Sequence, residues 1–392
     1  MVFLRTGALT HYTHAKKLYN VHVMKKTLLF AAAGLCLVAA ISAVLPRAEA
    51  DPSAAWNRKA AAAYLDQRAT WWTTWPNAQR DHQTFCISCH TALPYALARP
   101  ALRQPLGETA ASAGEAALLA NVTKRVTMWR EVEPFYPDQT RGVPKTSESR
   151  ATEAILNAVI LSRRDARNGS LSDEGRRALD NMWALQMKTG EHTGAWTWLQ
   201  FHNEPWEGDS SPFHGATLAA IAVHTAPAGY AASQDNHDRV EALHNYLRKG
   251  NEQQPLLSRA MLLWASTLTP ALLPHDRQQA IVDALLAAQH ADGGWSTASL
   301  GSWKRGDGTP LDIRTDGYAT GLVTFVLESA ADVRHQPQVQ RGLAWLATHQ
   351  DPASGNWFAA SLNKQRDPAS DAGKFMSDAA TAYAVLALTK DR

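Results

Sequence analysis

Three stretches of this chain share one punctuation. ALDNMWALQMKTGEHTGAWTW (178–198), AIVDALLAAQHADGGWS (280–296) and RGLAWLATHQDPASGNWFA (341–359) each carry an apolar helical pattern. Each pattern runs into a glutamine (Gln186, Gln289, Gln350), a glycine-bearing turn and a tryptophan (Trp196, Trp295, Trp357). A second apolar run follows each: GATLAAIAVHTA from Gly215, GYATGLVTFVLESA from Gly317 and AATAYAVLALTK from Ala379. Self-similarity of this kind marks a stacked array of supersecondary units. The unit here is helix, Gln-Gly-Trp turn, helix. The glycine supplies the positive φ that ends a helix. The indole is an apolar plate for the junction. The glutamine amide ties off free backbone groups or caps the next unit. The second helices, rich in Ala and Leu, read as the more buried set.

Weaker copies extend the pattern to six helix pairs. AAAYLDQRATWWTTW (61–75) precedes the stretch TFCISCHTALPYALARPALR (84–103), read as the second helix of its pair. EAALLANVTKRVTMW (115–129) precedes SESRATEAILNAVILSRRDA (147–166), and DRVEALHNYLRK (238–249) precedes SRAMLLWASTL (258–268). No strand-like alternation of any length is present. The expected fold is therefore all-α: a single (α/α)6 barrel, or toroid, of alternating outer and inner helices over 51–392.

Residues 1–50 read as an N-terminal extension and a signal peptide. Lys25 and Lys26 form a basic start, Leu28 to Leu45 an apolar run, and Ala48-Glu49-Ala50 a small-x-small cleavage site. The first 23 residues are polar, so translation is expected to start at Met24. The apolar run is also long enough to serve as an uncleaved membrane anchor. The expected location is periplasmic or secreted. The leader holds most of the basic excess, so the net charge of +3 turns slightly acidic once it is removed. No basic patch then remains to argue for nucleic acid.

The mature chain keeps two cysteines, Cys86 and Cys89, with His90 directly after. Cys-x-x-Cys-His is the attachment pattern of c-type haem: two thioether bonds, and the imidazole as an axial ligand to iron. One covalent haem c held by Cys86, Cys89 and His90 is the expected cofactor, with the iron on His90. A dithiol redox pair with a lowered thiol pKa and a chance occurrence are the other readings. With helix starts converging at one mouth, Ser147, Glu148, Glu153, Asp209, Ser210, His214, Asp316 and Asp378 form either a polar rim or ordinary helix caps. Glu153 faces a haem or pairs with an arginine such as Arg99 or Arg150. His214, Met128, Met182, Met187, Met261 and Met376 are sixth-ligand candidates against a core role. Arg99 and Arg103 hold propionates or carboxylates. Trp71, Trp72 and Trp75 stack on a porphyrin or plug the end of the barrel.

The Gln…Gly-x-Trp units resemble the QW repeats of the squalene cyclase and prenyltransferase superfamily, strongly over 178–392 and loosely over 56–177. The resemblance implies the toroid and an apolar cavity suited to an isoprenoid, but not a reaction. Cyclases of this type protonate an alkene with an Asp-x-Asp-Asp motif followed by Thr-Ala. The matching stretch here is Ser377-Asp378-Ala379-Ala380-Thr381-Ala382, in which every acid position of the motif is replaced and Asp378 stands at the variable one. Protonating squalene cyclisation is therefore not expected, nor is zinc-dependent prenyl transfer. Two functions stay open. One is an exported haem protein for electron transfer or redox chemistry near an apolar cavity, with a periplasmic redox partner. The other is a haem-free isoprenoid binder or cyclase-like enzyme. Whether the chain is an enzyme is left open, and an absorption spectrum separates the two.

Overall fold

A computed structural model describes residues 56–138 and 145–390. The leader and the Met24 start lie outside these residues. The described chain is mostly helical. Twelve helices follow in order: α1 (Arg58–Thr74), α2 (Ala92–Ala98), α3 (Ala113–Thr127), α4 (Lys145–Asn168), α5 (Asp173–Ala184), α6 (Ser211–Thr225), α7 (His237–Gly250), α8 (Leu256–Leu268), α9 (His275–Ala287), α10 (Gly317–Ser329), α11 (Pro337–Thr348) and α12 (Phe375–Thr389). A one-turn helix (Arg103–Leu106) and short 3-10 turns join them. The only sheet among the described residues pairs Gln79–Arg80 (β1) with Thr84–Phe85 (β2), antiparallel. No helix among the described residues is long and apolar enough to cross a membrane.

The helix starts follow from side chains that accept free backbone N–H groups. Asn57 caps α1, and Ser172 caps α5. Ser112 and Glu115 form a reciprocal capping box on α3. Asp316 caps α10 through the N–H groups of Tyr318 and Ala319. Of the rim candidates, Asp316 is thus a helix cap.

Even-numbered helices carry the core. α10 is buried from Gly317 to Leu327 and α12 from Met376 to Leu388. Odd-numbered helices bury one stripe, such as Ile281, Val282 and Leu285 on α9. Each even helix packs on the next, from α2 through α4, α6, α8 and α10 to α12, and α12 packs back on α2. The odd helices lie against this inner series.

The three strong repeats are joined as their residue types demand. Trp196, Trp295 and Trp357 are fully buried. Each indole N–H donates to a carbonyl in the last turn of the preceding odd helix: Met182 at 2.6 Å, Leu285 at 2.7 Å and Leu346 at 2.8 Å. Each glutamine amide bridges its own turn to the start of the next odd helix. Gln186 reaches Gly194 and Arg239, Gln289 reaches Gly293 and Gln338, and Gln350 reaches Gly355 and Asn57. The glycines Gly194, Gly293 and Gly355 take φ of 93°, 97° and 79°. A Cβ on Gly194 would lie 2.1 Å from the carbonyl oxygen of Ala242, and one on Gly355 2.5 Å from that of Ala60. Glycine is required there by φ and by close approach together.

Two expectations change. Gln67, Trp71 and Trp72 lie inside α1 rather than in a turn, so the first unit is not a copy of the others. The Cys-x-x-Cys-His stretch does not open a helix. It is an extended segment and turn, and α2 starts only at Ala92.

Candidate cofactor site

The approach to the motif is clamped from three sides. Asn121 on α3 binds both backbone groups of Phe85, at 2.8 and 3.0 Å. Arg125, also on α3 and fully buried, holds the Thr84 hydroxyl at 2.6 Å. The Trp72 indole on α1 donates to the Cys86 carbonyl at 2.7 Å. The turn into α2 is tied by the hydroxyl of Ser88, between the two cysteines, which accepts the N–H groups of Thr91 and Ala92.

Cys86, Cys89 and His90 line one cavity of about 320 Å³. Its walls include Trp72, Trp75, Phe135, Phe201 and Phe375, with Asn203 and Glu207 as polar members. A smaller cavity of about 110 Å³ adjoins it, sharing Cys89, His90, Asn203, Glu207 and Phe375 and adding Trp206, Arg366 and Met376. Both thiols are free and buried. Burial pushes the Cys86 thiol up to about 11 and the Cys89 thiol well above its ordinary range. These shifts run opposite to the lowered thiol pKa of a dithiol redox pair.

His90 is held on its face and along its edges. Phe375 stacks on the ring at 3.9 Å, and Trp72 meets it edge-on at 5.1 Å. Nδ1 lies 2.8 Å from the Thr91 hydroxyl. Desolvation is the main reason that its pKa falls to about 3, with Arg68 and Arg366 adding to it, so the imidazole is neutral. A neutral ring with one nitrogen anchored is the state in which imidazole binds a metal. Glu207 is pushed up to about 7, mainly by burial.

The remaining candidates scatter. Glu153 is fully buried, but its partner is Arg125, at 2.5 and 3.1 Å. Arg150 is only a distant neighbour at 3.9 Å, and Arg99 is elsewhere. The pair joins α3 to α4 and clamps the motif's approach, away from either cavity. Arg99 binds Asp66 and Glu108, and Arg103 binds Glu115 at 2.6 Å. Both are engaged with carboxylates. Glu148 receives Lys145 at 2.5 Å, Ser147 meets Thr197, and Asp209 meets Gln200. None of the eight rim candidates lines the two cavities. His214 is buried against Trp198, edge-on at 5.9 Å. Of the methionines, Met376 is the one that lines a cavity with His90. Met261 receives the Tyr383 hydroxyl at 3.9 Å. Asn203 and Glu207 escaped sequence reading because they sit in a loop without a motif, held by mutual backbone hydrogen bonds.

Haem c fits the donor set. Two free thiols and an anchored neutral imidazole share one cavity with aromatic walls. Cys86 and Cys89 would carry the thioether bonds, and His90 would bind the iron through Nε2. Among the described residues, no group of three or more His, Cys, Asp or Glu side chains is placed to hold a metal ion by itself.

No protein-family model matches the chain. No curated protein matches it either. Among solved structures, a polysaccharide lyase is similar with a TM-score of 0.49 at 12% identity, over 85% of this chain and 96% of that one. Nothing about this protein's chemistry follows from that likeness.

Proposed function

We propose that this protein is an exported c-type haem protein built on a single α/α toroid of six helix pairs, serving electron transfer or redox chemistry. The observation that carries the reading is the convergence of Cys86, Cys89 and the anchored His90 on one aromatic-walled cavity. The even helices, each packed on the next and the last on the first, support the toroid. Related to the terpenoid cyclases by its Gln-Gly-Trp units, the chain lacks their acid set, and its Asp378 is tied to Arg68 instead.

Bound haem supplies one-electron exchange at its iron. The protein's part is to orient the imidazole, through Phe375 on its face and Thr91 on its edge, and to surround the group with Trp72, Trp75, Phe135 and Phe201. Low polarity around the iron is a lever on its potential. The haem reading is preferred to the isoprenoid reading because aromatic side chains reach across between the even-numbered helices. Trp206 contacts Tyr318, Tyr318 contacts Tyr383, and Tyr383 contacts Phe325, with centroids 5.4, 5.8 and 6.4 Å apart. Tyr383 on α12 also reaches Met261 on α8, past α10.

The test is co-expression with a c-type haem maturation system, followed by a pyridine haemochrome assay. Haem that stays on the polypeptide after acid-acetone extraction is the expected result. A colourless protein, or colour that extracts fully, overturns the reading. Incubation with squalene is expected to give no cyclised product.

A further inference from the structure

We propose that Thr91 and Asp378 form a relay that fixes the tautomer of His90 and raises the electron density of its imidazole, which makes both of them positioning residues. The tautomer half stands on the hydrogen bonds alone. The consequence for iron rests on the haem reading above.

The argument is a count of protons. Asp378 is buried, and its charged neighbour, Arg68, can only donate to it. Arg68 Nε and the Tyr64 hydroxyl reach Oδ1, each at 2.8 Å, and the Thr91 hydroxyl reaches Oδ2 at 2.6 Å. Burial pushes Asp378 upward, but Arg68, which stays a cation, opposes this and pairs with Oδ1 at 2.8 Å. Asp378 is therefore a carboxylate that only accepts. The one hydroxyl proton of Thr91 points at it. The same oxygen lies 2.8 Å from His90 Nδ1, and with its proton committed it can only accept there. Nδ1 must then carry the hydrogen, which leaves the lone pair on Nε2.

α12 supplies both constraints on the ring. Phe375 covers its face at 3.9 Å, and Asp378, one turn later, governs its edge through Thr91. α1 holds the carboxylate in place through Tyr64 and Arg68, and Arg68 is itself braced by Asp371. A carboxylate acting through one hydroxyl makes the imidazole a stronger donor to a metal, and outer partners of this kind tune metal sites. In a haem-bearing protein this favours the ferric state.

The test has two independent arms. In the first, the haem-free protein carries 15N-labelled histidine, and long-range 1H–15N spectra report the tautomer. Wild type is expected to show Nδ1–H at His90. Thr91→Val, which keeps the side-chain shape and removes the hydroxyl, is expected to lose that preference, and Thr91→Ser to keep it. An Nε2–H tautomer in wild type, or an unchanged tautomer in Thr91→Val, overturns the relay. In the second arm the loaded protein is titrated. Thr91→Val should shift the ferric–ferrous equilibrium toward ferrous by about tenfold, about 59 mV for one electron, and Thr91→Ser should restore it. An unmoved potential overturns the claim of raised electron density. Failure of haem to attach overturns the haem reading and leaves the tautomer result standing. Asp378→Asn is the harsher variant because it strands the buried Arg68 guanidinium; circular dichroism checks that it folds.

Discussion

Asn57 and Gln350, 293 residues apart, exchange two hydrogen bonds: the Asn57 N–H to Gln350 Oε1 at 2.6 Å, and Gln350 Nε2 to the Asn57 carbonyl at 3.0 Å. The same amide reaches the Gly355 carbonyl at 2.8 Å. Gln186 and Gln289 make the equivalent bridge to the odd helix that follows them, so the last repeat treats α1 as its successor. Gln350→Ala should lower stability by about 1–2 kcal/mol, the net worth of one or two such hydrogen bonds. Urea unfolding measures this, and the denaturant slope should not change. Cleavage at the start of α1 under limited proteolysis should also rise, because its tether is lost.

Gly194 and Gly190 lie in the same turn and separate two effects. Both have positive φ, 93° and 85°. A Cβ on Gly190 meets nothing within 4 Å, whereas one on Gly194 meets the Ala242 backbone at 2.1 Å. Gly190→Ala should therefore cost about 1–2 kcal/mol, the conformational penalty alone. Gly194→Ala carries that penalty and must also push α7 away, so it should cost clearly more. Thermal melts of the two variants give the comparison, and equal losses would remove close approach as the reason for the repeat glycine.

Sequence reading reached the parts of this molecule that repeat. A glutamine, a glycine and a tryptophan at like places in three units have one job each, and that job can be argued from one unit alone. The Cys-x-x-Cys-His stretch stood out because its three residues lie within five positions. Its backbone was not legible: it enters as an extended segment and turns at Cys89 because Asn121, Arg125 and Trp72 hold Thr84 to Cys86, and no local propensity encodes that. Glu153 does pair with an arginine, but its closest partner is Arg125, a residue with no motif around it, with Arg150 farther off and Arg99 elsewhere. The Thr91–Asp378 contact spans 287 residues and depends on how α12 meets α2. Asp378 had drawn notice as a rim or cap candidate and as the acid left at a variable position, not as a partner of Thr91.

His224 at the end of α6 and His244 on α7 point Nε2 at Nε2, 2.9 Å apart, with rings stacked at 5.0 Å. Only one shared proton fits between them, so both cannot be charged at once. Burial lowers each to about 4. A histidine whose folded pKa lies below its unfolded value stabilises the fold above the unfolded value, near 6.5. That contribution is lost as pH falls toward 4. Stability should drop by about 2–3 kcal/mol between pH 7 and pH 4.5 from this pair. The double variant His224→Asn/His244→Asn should be less stable at pH 7 and show a flatter pH profile. Denaturant unfolding across that range checks it, and an unchanged slope would assign the acid sensitivity to other groups.

Trp295 tests whether the repeat tryptophans are structural. It is fully buried; its indole N–H donates to Leu285, and its backbone N–H donates to the Thr320 hydroxyl on α10 at 2.9 Å. It also fills the space beside Gly342 on α11, where an added Cβ would meet its ring at 2.9 Å. Truncation thus empties the junction between α9, α10 and α11 and frees the Leu285 carbonyl. Trp295→Ala should cost about 3–5 kcal/mol, the range for large aromatic deletions in a core, a large share of a domain's stability. His90→Ala should do the reverse: it removes the proposed iron ligand and leaves helical content in place, because the ring lines a cavity. Melting curves and absorption spectra of both variants decide the matter. A Trp295→Ala protein that melts like wild type but has an altered haem spectrum would move this tryptophan from the scaffold to the site.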